Sequence, residues 1–214
     1  MDRRKALKTI GIGTGAITLT PAVVGIFQSC KKNIGQFTPI HFSNDDFSIL
    51  SKLMDLILPK TDIPGAIELK LPEFLDGYID VILSDPAKQE ISIGLDQFLK
   101  VALNDSGKNK SSQLDLKDLD NQLAKYLKAG EGKQKELDKK AKQFFNKKKT
   151  NSKVEIPNIA LASSFAIKLR SLTITAFKTN EYIGENVLAY APIPGEQIGC
   201  IDLNEATGGK AWSL

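Results

Sequence analysis

The chain has 214 residues, of which 42% are hydrophobic and 25% are charged, and these values are ordinary for a globular protein. Its formal net charge is +4, and its one histidine, His41, excludes a histidine-based catalytic triad and a histidine-rich metal site. His41 precedes the first predicted helix and is interpreted as a solvated linker residue. Two cysteines are too few for a disulfide framework, so hydrophobic packing must hold the fold.

The first 30 residues have the pattern of an export signal. Arg3 and Arg4 precede an uncharged stretch that runs from Thr9 to Phe27, and twin arginines of this kind are read by a route that carries folded proteins. Glycines and threonines make the stretch only mildly apolar, which suits such a signal better than a permanent anchor. The pattern predicts a protein that is exported to the periplasm.

Cys30 follows small and apolar residues in the manner of a lipoprotein cleavage site. This pattern predicts removal of residues 1–29 and lipid attachment at Cys30, which would hold the protein at the membrane surface without spanning it. An uncleaved anchor and an ordinary cleaved signal remain the alternatives. No stretch after residue 30 is predicted to be apolar for long enough to cross a bilayer, so the mature body is expected to be soluble.

The first helix of the mature body is predicted from a cap and a periodic pattern. Ser43 and Asp46 have the spacing of a capping box, and apolar residues follow at three- and four-residue intervals until Pro59. Pro59, Pro64 and Gly65 then fall within seven residues. Because prolines and glycines this close together cannot form regular structure, the segment is predicted to be an ordered loop.

Two further helices are predicted from prolines near their starts. Asp85 followed by Pro86 has the N-cap signature of one helix, which is predicted to end before a loop at residues 104–113. The helix before it has Pro72 where a first helical residue is expected. The apolar stripe behind Pro72 consists of Phe74, Leu75, Tyr78, Ile79, Ile82 and Leu83.

Residues 108–153 carry fourteen lysines against six acidic residues. Regularly spaced leucines and aromatic residues predict two helices here, separated near Gly130 and Gly132, whose lysines form a solvated outer face. The export signal and the absence of interleaved exposed aromatic residues argue against nucleic acid as a partner. Attraction to an anionic membrane surface is the main alternative role for these lysines.

The longest apolar pattern of the chain begins after Pro157 and predicts a central helix over residues 158–177. The proline- and glycine-rich tail is predicted to be extended loop with at most a short strand. The predicted fold is therefore all-α: a single-domain, irregular helical bundle with long ordered loops over residues 43–214. A linker at residues 31–42 and the signal helix of residues 1–30 precede it.

No motif in the sequence predicts a catalytic, metal-binding or cofactor-binding site. The carboxylate pairs Asp45 with Asp46 and Glu73 with Asp76 lie at predicted helix starts, where interaction with the helix dipole explains them. Cys200 could act as a nucleophile, but no histidine is predicted near it. A buried structural thiol is therefore the favoured interpretation of Cys200.

Three stretches of the chain each carry a further motif. Residues 57–79, ILPKTDIPGAIELKLPEFLDGYI, join a Pro-x-Thr-Asp-x-Pro-Gly-Ala loop to a Pro-Glu-Phe helix start. Residues 165–190 and the tail APIPGEQIGC at residues 191–200, with the late Trp212, add two weaker matches. Together the three stretches resemble the gluconate 2-dehydrogenase subunit 3 family, and the likeness covers most of the chain.

The resemblance implies a non-catalytic accessory subunit without a cofactor of its own. In such complexes a large flavoprotein of the glucose-methanol-choline type binds FAD and oxidises a sugar or alcohol, and a cytochrome c subunit with haem often takes the electrons. The small subunit carries the export signal for the flavoprotein and supports its maturation. The lysine-rich segment and Cys30 depart from the family pattern.

The resemblance also indicates two partner-facing loops, although tight connections between helices would explain the same prolines and glycines. Two competing functions are a lipid-anchored scaffold or carbohydrate-binding lipoprotein without an oxidoreductase, and a small hydrolase that uses carboxylates. The candidate partner-binding residues are Pro59, Thr61, Asp62, Pro64, Gly65, Ala66, Pro194, Gly195, Gly199 and Cys200.

Overall fold

The computed structural model describes residues 37–150, 154–191, 195 and 200–213, with side chains for all of these except 149 and 150. The α-helices among them are α1 (Asn44–Ile57), α2 (Leu71–Val81), α3 (Asp85–Ser106), α4 (Leu116–Leu127), α5 (Glu131–Thr150), α6 (Asn158–Lys178) and α7 (Leu203–Thr207). A 3₁₀ turn at Ser111–Gln113 and a π-helical turn at Ile183–Val187 complete the described elements. The all-α fold class predicted from the sequence is confirmed.

α6 is the central helix of the bundle, as its apolar pattern predicts. It packs against α1, α2, α3, α4, α5 and the π-helical turn. Its closest neighbour is α3, where a Cβ atom added to Gly94 would lie 2.8 Å from the Cβ atom of Phe165. A glycine at this point of α3 therefore allows the two helices to pack tightly.

α6 is also long and apolar enough, by length and composition, to cross a bilayer. The prediction that no such stretch follows residue 30 is therefore wrong. Half of the residues in its apolar window are buried inside the fold. A helix surrounded by five others needs apolar residues on most of its faces, and this packing accounts for its composition.

The hydrophobic core has a larger and a smaller part. The larger part lies between α1, α2, α3, α4 and α6 and includes Leu53, Phe98 and Tyr126. The smaller part lies under α5, where Leu137 and Phe144 pack with residues of α6. The lysines of α5 are therefore the outer face of a helix whose inner face is buried, as the sequence predicts.

The helix starts follow the predicted caps, with small differences. The Ser43 Oγ accepts a hydrogen bond from the Asp46 N–H at 3.1 Å and donates one to the Asp46 carboxylate at 2.7 Å, so the first predicted cap is confirmed. The N-cap of α3 is Ser84, and the predicted cap Asp85 is its first helical residue. α2 begins at Leu71, one residue before Pro72.

Two predicted loops contain more helix than the sequence indicates. α3 continues to Ser106 and ends at Gly107, whose φ of 66° gives the left-handed C-cap that glycine adopts without strain. In the remainder of the predicted 104–113 loop, residues 111–113 form the 3₁₀ turn and residues 107–110 are irregular. The extended loop was predicted for residues 189–203, and their described part is non-helical as far as Asp202, with a parallel bridge from Ala189 to Trp212. The short helix α7, which begins at Leu203, was not predicted.

Candidate partner interface

The loop that joins α1 to α2 is closed by its own backbone. We refer to residues 58–70 as the α1–α2 loop. The Ala66 N–H donates to the Leu58 carbonyl and the Leu71 N–H donates to the Ala66 carbonyl, each at 2.9 Å. The Leu69 N–H donates to the Gly65 carbonyl at 3.1 Å. These bonds make the segment an ordered loop, as the sequence predicts.

Gly65 is required by the close approach of the chain to itself. A Cβ atom at this position would lie 2.5 Å from the Lys60 nitrogen, 2.8 Å from the Pro59 carbonyl carbon and 2.9 Å from the Leu58 oxygen. All three atoms belong to the backbone and cannot rotate away. The Pro-Gly-Ala sequence is therefore explained by the closure of the loop.

A carboxylate reinforces this closure. Glu68 accepts a hydrogen bond from the Gly65 N–H at 3.1 Å and pairs with Lys60 at 3.4 Å. The bond from its own backbone N–H, with further contributions from Lys60 and Gly65 and with partial desolvation opposing them, holds the pKa of Glu68 below its ordinary value. The ionised form of Glu68 is therefore the one that stabilises the loop.

The loop exposes only part of the predicted partner-binding set. Pro59, Thr61 and Asp62 are exposed, and Pro64 is half-buried. Gly65 and Ala66 are buried, and Ala66 belongs to the main core, so its side chain faces the bundle and not a partner. The physical reason is that the turn needs its smallest residues where the chain passes over the end of α1.

α2 carries an exposed apolar face beside this loop. Phe74, Val81 and Ile82 are 52%, 73% and 63% exposed, and the rings of Phe74 and Tyr78 stack with centroids 6.0 Å apart. These four residues share one side of the helix because their spacing is four, seven and eight residues. We call them the outer face of α2.

The apolar residues that the sequence predicts to form one stripe on α2 therefore lie on two different faces of the helix. Leu71, Leu75 and Ile79 are 1% exposed and pack into the core, whereas Phe74 and Ile82 point away from it. Periodicity shows that both sets are helical, but it does not show which set is covered. In the α1–α2 loop, Ile63 and Ile67 are also exposed.

Asp76 is a structural anchor that the sequence did not reveal. Its carboxylate is fully buried and accepts backbone hydrogen bonds from Ile40 at 2.6 Å, His41 at 3.2 Å and Phe42 at 3.0 Å. Interaction with the helix dipole, the predicted explanation of Asp76, is therefore wrong. A buried charge needs several donors, and here the segment before α1 supplies them.

His41 is held by the same arrangement and is not a solvated linker residue. Its side chain is 13% exposed, with Nδ1 3.9 Å from an Asp80 carboxylate oxygen and Nε2 3.3 Å from the Ser92 hydroxyl. Its ring packs edge-on against Phe42. The isolated position of His41 in the sequence gave no signal for these contacts, because its partners lie on α2 and α3.

The second predicted loop is exposed where it is described. Gly195 and Cys200 are both exposed, and Cys200 is a free thiol. The prediction of a buried thiol is therefore wrong, because the tail lies on the surface of the bundle. The predicted residues that lie outside the described part of the chain are Arg3, Arg4, Cys30, Pro194 and Gly199.

A groove of about 780 Å³ lies between α3, α5 and α6. Its charged side chains pair with one another, Lys168 with Glu90 at 3.5 Å and Lys142 with Asp138 at 2.6 Å. Over the ranges 37–150 and 154–191 and the described tail, no three His, Cys, Asp or Glu side chains are grouped so as to hold a metal ion.

Comparison with known proteins gives one family. The model of the family described as gluconate 2-dehydrogenase subunit 3 matches residues 44–195. This match covers the α1–α2 loop and the outer face of α2. No curated protein and no solved structure matches the chain.

Proposed function

The chain belongs to the gluconate 2-dehydrogenase subunit 3 family, and we propose that it is a non-catalytic small subunit that binds, helps to mature and co-exports the catalytic subunit of an oxidoreductase complex. The family name supports association with other dehydrogenase subunits. In this proposal the catalytic partner is an FAD-dependent flavoprotein of the glucose-methanol-choline type that oxidises a sugar or alcohol. A cytochrome c with haem would accept its electrons.

The observation that carries the proposal is the outer face of α2 beside the closed α1–α2 loop. Large apolar side chains that are more than half exposed, as Phe74, Val81 and Ile82 are, are characteristic of the centre of a protein interface when they are contiguous. A loop that is already closed loses little conformational entropy when a partner covers it. Both features favour a stable docking surface.

Export is the second part of the proposal. Arg3 and Arg4 would direct the assembled pair to the route for folded proteins, and lipid on Cys30 would hold the complex at the periplasmic membrane surface. The export signal of the small subunit would then also direct the export of the flavoprotein, which in this proposal has no signal of its own. In this proposal, a subunit that does no redox chemistry contributes to the oxidoreductase by exporting and anchoring its catalytic subunit.

Capture of the native complex tests the proposal. The full-length chain, tagged at its C-terminus and expressed in its own host, is purified from membranes, and its partners are identified by mass spectrometry and absorption spectrum. We expect a flavoprotein with dye-linked sugar or alcohol oxidation that the chain alone lacks. A chain that is recovered without any flavoprotein would contradict the proposal and favour the scaffold or carbohydrate-binding alternative.

A variant pair assigns the binding to the outer face of α2. Ile82→Ser should lower capture of the flavoprotein about tenfold, since an exposed interface anchor contributes on the order of 1–2 kcal/mol. Ile159→Ser is the matched control, because Ile159 is 50% exposed at the start of α6. Equal capture by both variants would remove the outer face of α2 from the interface.

A further inference from the structure

The tail of the chain has a defined local structure. We call residues 188–213, described at 188–191, 195 and 200–213, the C-terminal arm. The Ala189 N–H donates to the Ala211 carbonyl at 2.9 Å, and the Ser213 N–H donates to the Ala189 carbonyl at 2.8 Å. These two bonds join the start of the arm to its end.

The short helix α7 within the arm is capped at both ends. The Asp202 carboxylate accepts hydrogen bonds from the Asn204 N–H at 2.8 Å and the Glu205 N–H at 3.3 Å. Gly208 adopts the left-handed conformation, and its N–H donates to the Asn204 carbonyl at 2.8 Å. These caps define where α7 begins and ends.

The described residues of the arm leave several large apolar side chains exposed. None of its described residues is buried, and Leu203 and Trp212 are 62% and 56% exposed. Tyr190 and Ile201 are exposed as well. A helix of five residues is not stable by itself in water, so a capped arm with its large apolar side chains exposed lacks the burial that would stabilise it.

The end of the arm lies close to the π-helical turn. Ile183 and Gly184 of the π-helical turn are buried, and a Cβ atom on Gly184 would lie 2.9 Å from the Ser213 hydroxyl oxygen. The end of the arm therefore returns to the π-helical turn, which packs on α6. The apolar side chains between these two points remain uncovered by the described residues.

We propose that the C-terminal arm is a second docking element, which binds the catalytic subunit of the complex through an apolar surface bordered by lysine or arginine. This inference rests on the proposed function. Tyrosine, tryptophan and leucine side chains supply a large apolar contact area of the kind that is buried at the centre of an interface. Burial of Leu203 and Trp212 against the partner would supply the apolar contact that stabilises the arm.

Charge favours a different chain over a second copy of this one. The arm and the π-helical turn carry three described carboxylates, at Glu185, Asp202 and Glu205, against one described amine, at Lys210. A two-fold dimer through this surface would bring the same acidic patch onto itself. A partner with basic residues around an apolar surface would instead be attracted to it.

Two leucines in equivalent positions allow a matched test. Leu203 and Leu116 are each the first residue of a helix that follows an aspartate N-cap, and they are 62% and 53% exposed. The full-length chain is co-expressed with its flavoprotein as wild type, Leu203→Ser or Leu116→Ser. The affinity of each purified chain for the flavoprotein is then measured, together with its thermal unfolding and its mass in solution.

We expect Leu203→Ser to weaken the affinity at least tenfold and Leu116→Ser to change it less than twofold. Neither substitution should move the unfolding temperature of the free chain, because both side chains are exposed. In hydrogen exchange, the amides of residues 200–212 should be fast in the free chain and protected in the complex.

Unchanged affinity for Leu203→Ser, with no protection of the arm, would overturn the inference and leave the proposed function intact. Self-association of the wild-type chain that Leu203→Ser abolishes would also overturn it, since the occupant would then be a second copy. Failure of the wild-type chain to bind the flavoprotein would overturn the proposed function and the inference with it.

Discussion

At the scale of the residue, a few positions determine the shape of the α1–α2 loop. Gly65 allows the chain to approach its own backbone within distances that no Cβ atom tolerates. Glu68 then bonds the Gly65 N–H and pairs with Lys60. Contacts within the α1–α2 loop therefore determine its conformation.

Gly65→Ala should destabilise the protein by about 1–3 kcal/mol, because the added methyl group forces the backbone apart. The free energy of unfolding in urea measures this effect. Gly77→Ala is the control, since a Cβ atom at Gly77 on α2 meets no atom within 4 Å. An alanine in a helix should there stabilise by about 0.5–1 kcal/mol. A loss of stability that is equal for both variants would contradict the role given to Gly65.

At the scale of the element, α2 packs into the core, exposes an apolar face and anchors the segment before α1. One side packs into the core through Leu75 and Ile79, and the outer face is exposed. Asp76 holds the backbone of residues 40–42, the segment that leads into α1. Through these bonds, α2 fixes the backbone of residues 40–42 just before the start of α1.

Asp76→Asn should destabilise the protein by about 2 kcal/mol, because one oxygen acceptor becomes an amide donor that faces backbone N–H groups. The amides of residues 40–42 should also exchange faster with solvent. Asp96→Asn is the control, because Asp96 is exposed and pairs only with neighbours on α3, and it should cost less than about 0.5 kcal/mol. Unchanged amide exchange at residues 40–42 in Asp76→Asn would contradict the anchoring role.

The elements that sequence predicts well are those whose signals are local. Helical periodicity, the Ser43 cap and Gly130 between α4 and α5 are each signals that depend on residues within about one helical turn. The contacts of Asp76 and His41 join segments that are far apart in sequence, so local patterns did not reveal them. The exposed Phe74 and Ile82 were missed for a related reason, because burial depends on which other helix packs on which side.

At the scale of the whole molecule, charge is distributed unevenly. α5 carries eight lysines against three acidic residues, whereas the C-terminal arm is acidic. Three lysines of α5 pair with carboxylates four residues before them, at 2.6 Å each. In the proposed complex, the outer face of α2 and the arm bind the catalytic subunit, and the solvated lysines of α5 remain available to the anionic membrane surface.

The central claim is that this chain carries its catalytic partner out of the cytoplasm, and export of the partner tests it most directly. Arg3→Lys with Arg4→Lys is compared in the native host with Arg170→Lys, which changes the third arginine of the chain, an exposed residue of α6. Flavoprotein activity is measured in periplasmic and cytoplasmic fractions. We expect the double variant to retain both the chain and an assembled flavoprotein in the cytoplasm, with normal export in Arg170→Lys. Normal export of the flavoprotein in the double variant would contradict the account.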